Sequence, residues 1–200
     1  MPVRSETALV IDALPGPGGA EKVLIEAMKL FPDAPIYTLI YNHEAFAETP
    51  LRDRQVISSN LNRLPWKHTQ YRKYLPLMPS AIERFDLSRY ERIISFSYAV
   101  AHGIRVQSDQ KHLSYTFTPM RYAWRNFGLD GMTRPANPVL NWLLHRFRAW
   151  DLSTIAHIDH LAAVSHWIAQ CVEKAYGRQA TVIYPPVEIE RFSPDRKSVV

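Results

Sequence analysis

Short apolar runs rich in β-branched and aromatic residues alternate with segments of helical periodicity along most of this chain. Six runs are predicted to be strands, at residues 7–11, 36–41, 92–97, 112–117, 160–164 and 180–184. Strands separated by helices favour a parallel sheet, because parallel neighbours need a crossover connection. The sequence therefore predicts an α/β fold, a Rossmann-like doubly wound parallel sheet that binds ligands at the carboxyl ends of its strands.

Three helices are indicated by apolar residues at spacings of three and four. The first opens at Gly18 and Gly19 and ends before Pro32. Its predicted buried face consists of Ala20, Val23, Leu24, Ala27, Leu30 and Phe31. The second extends roughly over residues 138–157, and the third has Ser165 as its cap and Gly177 as its end.

The composition limits the kinds of molecule that this chain can bind and the cellular compartment in which it can work. The chain carries 24 Lys and Arg against 19 Asp and Glu, a net charge of +5, which suits anionic partners. Nucleic acid is the weakest of these, because neither a zinc-finger spacing nor an RNA-binding aromatic signature occurs. The single Cys171 excludes an internal disulfide and fits a reducing cytoplasm. No secretory signal and no run long enough for a membrane span is present.

A glycine-rich turn at residues 16–21 lies between the first strand and the first helix. Such a turn brings backbone N–H groups and a helix N-terminus together at the carboxyl end of a strand, which suits a phosphate. The turn is not a dinucleotide fingerprint, because position 21 is Glu, and no Lys follows as in a Walker A loop. An equally weighted alternative is a tight turn whose glycines only permit close packing of strand and helix.

The segment over residues 52–89 interrupts the alternation and mixes cationic with aromatic side chains. Candidate contacts with a phosphorylated or lipid-linked acceptor at a membrane surface are Arg63, Lys67, Tyr71 and Arg72. The prolines of this segment forbid one long helix. On these residues alone, a solvated basic loop with a few packed aromatic residues is slightly favoured.

Two further strand ends carry polar candidates on the same predicted edge. Pro119 is expected to begin a helix after the fourth strand, which places Arg121 where it meets a carboxylate or phosphate. The alternative for Arg121 is a surface salt bridge. The hydroxyl groups of Ser95 and Ser97 either contact a polar ligand or, more often, cap a helix starting at residues 99–102.

Two other kinds of chemistry are rejected from the sequence. His157, Asp159, His160 and His166 do not form a metal site, because no Cys or further carboxylate completes a ligand set. A hydrolase triad lacks the G-x-S-x-G elbow. The prolines at residues 185–186 indicate a rigid exit from the sheet toward a further domain.

Several motifs, taken in order, resemble the N-terminal half of family 4 glycosyltransferases, in particular bacterial mannosyltransferase-like members. They are GGAEKVL at 18–24, FPDA at 31–34, IYTL at 36–39, YLPLMP at 74–79, TPMRYAW at 118–124, VIYPPV at 182–187 and RF at 191–192. The resemblance covers about residues 8–194.

The resemblance implies one half of a GT-B architecture, in which two Rossmann-like domains face each other across a cleft. Residues 1–184 would form the acceptor-side domain, and residues 185–200 would begin the linker to a donor-binding domain supplied in cis or in trans. The full enzyme would be a cytoplasmic, retaining glycosyltransferase, peripheral to the inner face of the plasma membrane where its acceptor requires it. It would move a hexose such as mannose from a nucleotide sugar to a glycan or lipid-linked acceptor, without a catalytic metal or other cofactor.

The resemblance also implies roles for individual residues. Gly18 and Gly19 would lie against the donor phosphates, and Arg121 with Tyr122 would join the 63–72 segment in binding the acceptor. The catalytic residue is unassigned, because Phe117 stands where relatives have His. Relatives also have Asp at the position of Arg125 and His at that of Tyr98.

These departures leave open an altered acceptor or a non-catalytic binding module. The need for a donor-binding half leaves open one subunit of a split enzyme. A nicotinamide-dependent oxidoreductase is a distant third class, because the dinucleotide fingerprint fails at Glu21.

Overall fold

The computed structural model describes residues 5–124 and 138–187. Within these residues seven strands form one parallel sheet. The strands are β1 Ser5–Ile11, β2 Ile36–Thr38, β3 Val56–Ser58, β4 Tyr90–Ser97, β5 Lys111–Thr116, β6 His160–Ala163 and β7 Thr181–Val182. The α-helices among the described residues are α1 Gly19–Leu30, α2 Met78–Ile82, α3 Pro138–Ile155 and α4 His166–Tyr176. The predicted α/β, Rossmann-like fold is confirmed.

The strand order β3-β2-β1-β4-β5-β6-β7 reverses direction beside β1. The chain passes from β1 outward to β2 and β3, and then returns to place β4 on the other side of β1. A ligand crevice in such a sheet forms at the carboxyl ends of the two strands that flank the reversal. Here those strands are β1 and β4.

The core occupies both faces of the sheet, because β1 lies near the centre and is apolar on both sides. Leu9 and Ile11 face the layer that contains α1. Ala8 and Val10 face the opposite layer, where α2 and α3 pack. A continuous apolar run such as residues 8–11 is therefore explained by burial on two faces rather than by helical periodicity.

Several predicted element boundaries are wrong. The strand predicted at residues 36–41 ends at Thr38, because the backbone N–H of Leu39 turns to donate to the carbonyl oxygen of Asp12. The strand predicted at 180–184 is reduced to β7. The edge strand β3 was not predicted, and its three residues give too short a pattern to recognise.

The helices follow their capping signals more closely than their apolar patterns. The Ser165 hydroxyl accepts the N–H of Ile168, and Gly177 ends α4 with a left-handed φ of 65°, as predicted. Leu30 was predicted to be buried but is 77% exposed, and Met28 packs in the core instead. Among the described residues, no helix has the length and apolar character needed to cross a bilayer.

The 52–89 segment contains no long helix, in agreement with its prolines. It consists of β3, α2 and 3₁₀ turns that include Asn60–Arg63 and Tyr71–Leu77. Arg125, Arg191, Phe192 and most of the predicted linker lie outside the described residues.

Candidate functional site

Three connections meet at the carboxyl edge of the central strands, called the carboxyl edge below. They follow β1 at residues 12–18, β4 at residues 98–103 and β5 at residues 117–124. β1 pairs with β4 and β4 pairs with β5, so their carboxyl ends are neighbours. The topology therefore brings together the glycine-rich turn, the serine-rich strand end and the segment that carries Arg121.

The turn after β1 leads into α1 without a side-chain cap. Gly18 is the residue before the helix, with extended backbone angles φ −158° and ψ −167°, and Gly19 is exposed. A Cβ atom added at Gly16 or Gly19 would meet nothing within 4 Å. Packing therefore does not require glycine at positions 16 and 19, which weakens the alternative of a purely structural turn at these two residues. Phosphate binding by Gly18 and Gly19 stays a prediction.

Glu21 lies over the start of α1 and changes the electrostatics of this turn. Its side chain is only 8% exposed, and a Cβ atom on Gly18 would lie 2.6 Å from Glu21 Oε2. Burial raises the pKa of Glu21, while its own backbone N–H favours the charged form. An anion approaching α1 therefore meets a carboxylate that must be protonated or move aside. From the sequence, Glu21 was noted only because the dinucleotide fingerprint has glycine at that position.

Asp12 closes the loop that follows β4. Its Oδ2 accepts the backbone N–H groups of Tyr98 at 2.7 Å and Ala99 at 3.1 Å. Its Oδ1 accepts those of Val100 at 2.5 Å and Ala101 at 2.7 Å. Burial raises the pKa of Asp12, and these N–H groups oppose the rise because they stabilise the carboxylate.

The Asp12 contacts correct the prediction of a helix at residues 99–102. The four N–H groups point to one carboxylate, and only a 3₁₀ turn, Ala101–Gly103, follows. Asp12 was not predicted to have a role. A lone Asp directly after a buried strand was the available signal, although its partners lie about 86 residues away in the chain.

The hydroxyl groups of Ser95 and Ser97 face the interior rather than a ligand. Ser95 Oγ lies 2.9 Å from His112 Nε2, and Ser97 Oγ lies 2.7 Å from His102 Nδ1. The other nitrogen of His102 is 2.7 Å from Asp151 Oδ1. Both serines are at most 1% exposed and bind histidines, so neither predicted role, contact with a ligand or the favoured capping of a helix, is found.

The Ser97–His102–Asp151 series has the residue types of a hydrolase triad without an accessible nucleophile. Asp151 is fully buried and also accepts the indole N–H of Trp124 at 2.5 Å. A substrate cannot reach Ser97 through this packing. The series instead ties the loop after β4, the turn after β5 and α3 together through one carboxylate.

The turn after β5 does not begin a helix at Pro119. The carbonyl oxygen of Met120 accepts the N–H groups of Ala123 and Trp124, which closes a single turn. The backbone N–H of Met120 donates to the hydroxyl of Tyr176 at 3.2 Å. The predicted helix is therefore wrong, and contacts with α3 and α4 hold the turn in its place.

The predicted residues of this turn differ in exposure. Arg121 is exposed and Tyr122 is half-buried. Phe117 is half-buried and packs edge-on against Tyr115, with ring centroids 5.3 Å apart. Phe117 offers no hydrogen bond, so a general acid or base at this position is excluded for this chain.

Tyrosines from three segments gather around Arg72. The guanidinium of Arg72 lies 5.9 Å from the ring centroid of Tyr71. A hydrogen bond with Tyr71 and attraction to Tyr122 raise the pKa of Arg72. Burial raises the pKa of Tyr98 well above its usual range, with smaller contributions from Asp12 and Tyr71. The structure therefore brings Tyr71, Arg72 and Tyr122 together beside the loop that Asp12 closes.

The remaining predicted acceptor residues are not part of that group. Lys67 donates from Nζ to the carbonyl oxygen of Asn62 at 2.6 Å, so it stabilises its own segment. Arg63 is exposed at the end of a 3₁₀ turn. Contact of either residue with an acceptor stays a prediction.

Carboxylates and histidines do not cluster as a metal site within residues 5–124 and 138–187. Asp159, one of the four residues considered from the sequence, binds Lys111 Nζ and the backbone N–H of His112, each at 2.9 Å. These contacts give it a structural role at the opposite edge of the sheet.

Neither a protein-family model nor a curated protein matches this chain. Membership of a glycosyltransferase family therefore stays a prediction. The function of the chain therefore has to be inferred from the residues at the carboxyl edge.

Proposed function

We propose that this chain is the acceptor-side domain of a glycosyltransferase. The enzyme moves a hexose such as mannose from a nucleotide sugar to a glycan or lipid-linked acceptor. The observation that carries the proposal is the position of Gly18 and Gly19. They lead into α1 directly after β1, one of the two strands at which the sheet order reverses. The order of the sequence motifs along the chain is the second support.

In this proposal the carboxyl edge divides between donor and acceptor. Backbone N–H groups at the start of α1 face the donor diphosphate, where the helix dipole stabilises negative charge as the nucleotide leaves. Arg72, with Tyr71 and Tyr122, binds the acceptor on the neighbouring side. Glu21 withdraws or takes up a proton when the diphosphate binds.

A complete active site requires a donor-binding domain, in the same polypeptide or in a separate subunit. Large apolar side chains near the end of the described residues suit a surface for that domain. Trp167 is 50% exposed, Tyr184 is 64% exposed and Val187 is 66% exposed. Exposed apolar side chains of this size suit an interface when they lie together. The enzyme works in the cytoplasm, at the membrane surface when its acceptor is lipid-linked.

A second candidate function is a binding module without catalysis. Phe117 favours it, because relatives of the resembled family have a histidine at that position and phenylalanine cannot exchange a proton. Such a module would retain the acceptor surface around Arg72 and would not transfer sugar.

The test is a transfer assay on the native polypeptide that carries this sequence, purified with whatever subunit accompanies it. Labelled nucleotide sugars are supplied with glycan and lipid fractions of the source cells. Gly19→Asp, which adds a carboxylate at the start of α1, is expected to reduce transfer at least tenfold through repulsion of the diphosphate.

Ser108→Asp is the matched control, because it adds the same charge in an exposed turn before β5, at the opposite edge of the sheet. The control is expected to transfer at the wild-type rate. Acceptor binding without transfer from any nucleotide sugar would contradict the enzyme proposal and support the binding module.

A further inference from the structure

A groove opens beside β3, the strand at one edge of the sheet. It has a volume of about 370 Å³ and lies between the end of β3, the Asn60–Arg63 turn and α2. Its apolar lining consists of Ile57, Leu61, Leu77, Ala81 and Phe85. β3 pairs only with β2 among the described strands, so no further strand covers this side. The remaining lining residues are polar: Ser58, Ser59, Asn60, Ser80 and Arg84. The groove, called the β3 groove below, is therefore partly apolar and open to solvent.

Exposure differs sharply within the apolar lining. Leu61 is 7% exposed and belongs to the core, whereas Leu77 is 49% exposed on the wall of the groove. Phe85 is anchored from below by an edge-on contact with Tyr37, with ring centroids 5.2 Å apart. The floor is therefore fixed by the core, and the wall keeps apolar surface that a ligand can cover.

One arginine in the lining has no partner of its own. Arg84 is exposed, and its guanidinium forms no hydrogen bond or ion pair with any residue that the structure describes. By contrast, the nearby Arg105 binds Glu83 Oε2 at 3.0 Å. The groove lining contains no Asp or Glu, so nothing in it repels or neutralises an anion.

We propose that the β3 groove binds a single-chain amphiphile with a phosphate head group. The alkyl or isoprenoid chain lies along the apolar lining, and the phosphate binds the guanidinium of Arg84, whose planar fork suits bidentate contact. The inference goes beyond the proposed function, because it adds a separate site for an anionic amphiphile to the same domain.

Size and charge select this occupant over others. A volume of about 370 Å³ is at the lower end of small-molecule sites and suits a single alkyl chain. The net charge of +5 favours an anionic head. Arg84 lies between α2 and β4, in the connection that leads to the amino end of β4, so the head group binds away from the carboxyl edge that carries Gly19.

The test is calorimetric titration of the full chain with octyl, decyl and dodecyl phosphate below their micelle concentrations. Inorganic phosphate supplies the head alone, and decyl maltoside supplies the chain without charge. Affinity is expected to rise about fourfold for each methylene that enters the groove, because each buried methylene adds a constant increment. The rise should stop once the chain is longer than the groove.

Two variants test the contributions of the phosphate head group and of the alkyl chain separately. Arg84→Gln is expected to weaken alkyl phosphate binding about tenfold and to leave decyl maltoside unchanged. Leu77→Asp, at an exposed position, is expected to remove the dependence on chain length. Arg52→Gln is the matched control, because Arg52 is equally exposed but lies outside the groove lining.

Three results would overturn the proposal. They are equal affinity for inorganic phosphate and decyl phosphate, alkyl phosphate binding that neither variant changes, and binding only to vesicles of anionic lipid. The last result would assign the region to a membrane surface. Transfer to a glycan without amphiphile binding would contradict this inference alone, whereas amphiphile binding without any sugar transfer would contradict the proposed function alone.

Discussion

The turn after β1 and the loop after β4 lie side by side at the carboxyl edge, and both supply successive backbone N–H groups. In the loop after β4, Asp12 accepts four of these groups and is only 2% exposed. In the turn after β1, no side chain caps α1, and Gly19 is exposed. One anion-binding arrangement is filled by the Asp12 carboxylate, and at the other the Glu21 carboxylate lies beside the start of α1.

The difference shows where function can be located in this fold. Backbone N–H groups that an internal carboxylate satisfies hold strands together and cannot bind a ligand. Groups at an uncapped helix start are available to a ligand, at the cost of moving Glu21. The loop after β4 therefore stabilises the fold, and the turn after β1 is the region expected to bind a ligand.

Replacing the carboxylate of Asp12 should have the largest effect on stability. Asp12→Asn keeps the shape, but its NH₂ group faces two backbone N–H groups that then lack an acceptor. We expect a loss of about 3 to 5 kcal/mol in the free energy of unfolding, measured by urea denaturation. Asp33→Asn, at an exposed position, is the control and should change little. A loss below about 1 kcal/mol for Asp12→Asn would show that the loop does not depend on this carboxylate.

Acid should destabilise the fold through His112, which is fully buried in β5 against Ser95 of β4. Burial lowers the pKa of His112 to about 3, whereas the unfolded chain titrates near 6.5. The unfolded state therefore binds an extra proton between these values. The free energy of unfolding should fall as the pH drops below about 6.5, by about 2 kcal/mol at pH 5 and about 3 kcal/mol at pH 4.

His112→Gln tests the source of this pH dependence, because glutamine does not titrate. The variant should lose the His112 contribution to the slope of stability against pH, and His43→Gln at an exposed position should not. An unchanged slope in His112→Gln would show that His112 is not responsible.

Two glycines give a matched test of packing in the two regions. A Cβ atom at Gly103, in the loop after β4, would overlap the ring of Trp150, whereas one at Gly19 would meet nothing within 4 Å. Gly103→Ala should therefore cost about 1 to 3 kcal/mol, and Gly19→Ala should stay within about 0.5 kcal/mol of the wild type. Thermal or urea unfolding measures both. Equal losses would mean that the turn after β1 is as tightly packed as the loop.

The smallest effect concerns the affinity of the open turn. Glu21→Gln removes the carboxylate beside the start of α1 and should strengthen binding of a nucleoside diphosphate about three- to tenfold. Titration calorimetry at low ionic strength measures the change. Glu26→Gln, one turn further along α1, is the control. Weaker binding in Glu21→Gln would indicate that Glu21 contacts the ligand instead of excluding it.

Local signals in the sequence predicted the parts of the fold that depend on neighbouring residues. Ser165 and Gly177 delimit α4 because capping involves only adjacent backbone groups. The order of strands and helices followed from periodicity, and with it the position of the glycine-rich turn. Pro119 misled the prediction, because contacts of Met120 and Trp124 with distant residues outweigh the local preference for a helix.

Sequence patterns could not predict the polar contacts between residues far apart in the chain. Asp12 binds a loop about 86 residues away, and His102 binds Asp151, 49 residues further along the chain. A buried carboxylate and its partners share no local spacing. The cluster around Arg72 was predicted only as a set of candidates, and tertiary structure selected Tyr71 and Tyr122 from among them.

The most direct test of the central claim is a titration of the ¹⁵N-labelled chain with a nucleoside diphosphate, followed by amide chemical shifts. The backbone amide signals of Gly18, Gly19 and Ala20 should move with a common dissociation constant. Those of residues 99–101 should stay in place, because Asp12 already binds them. Unchanged signals at Gly18 and Gly19, or shifts confined to other parts of the chain, would contradict an open anion site at the start of α1.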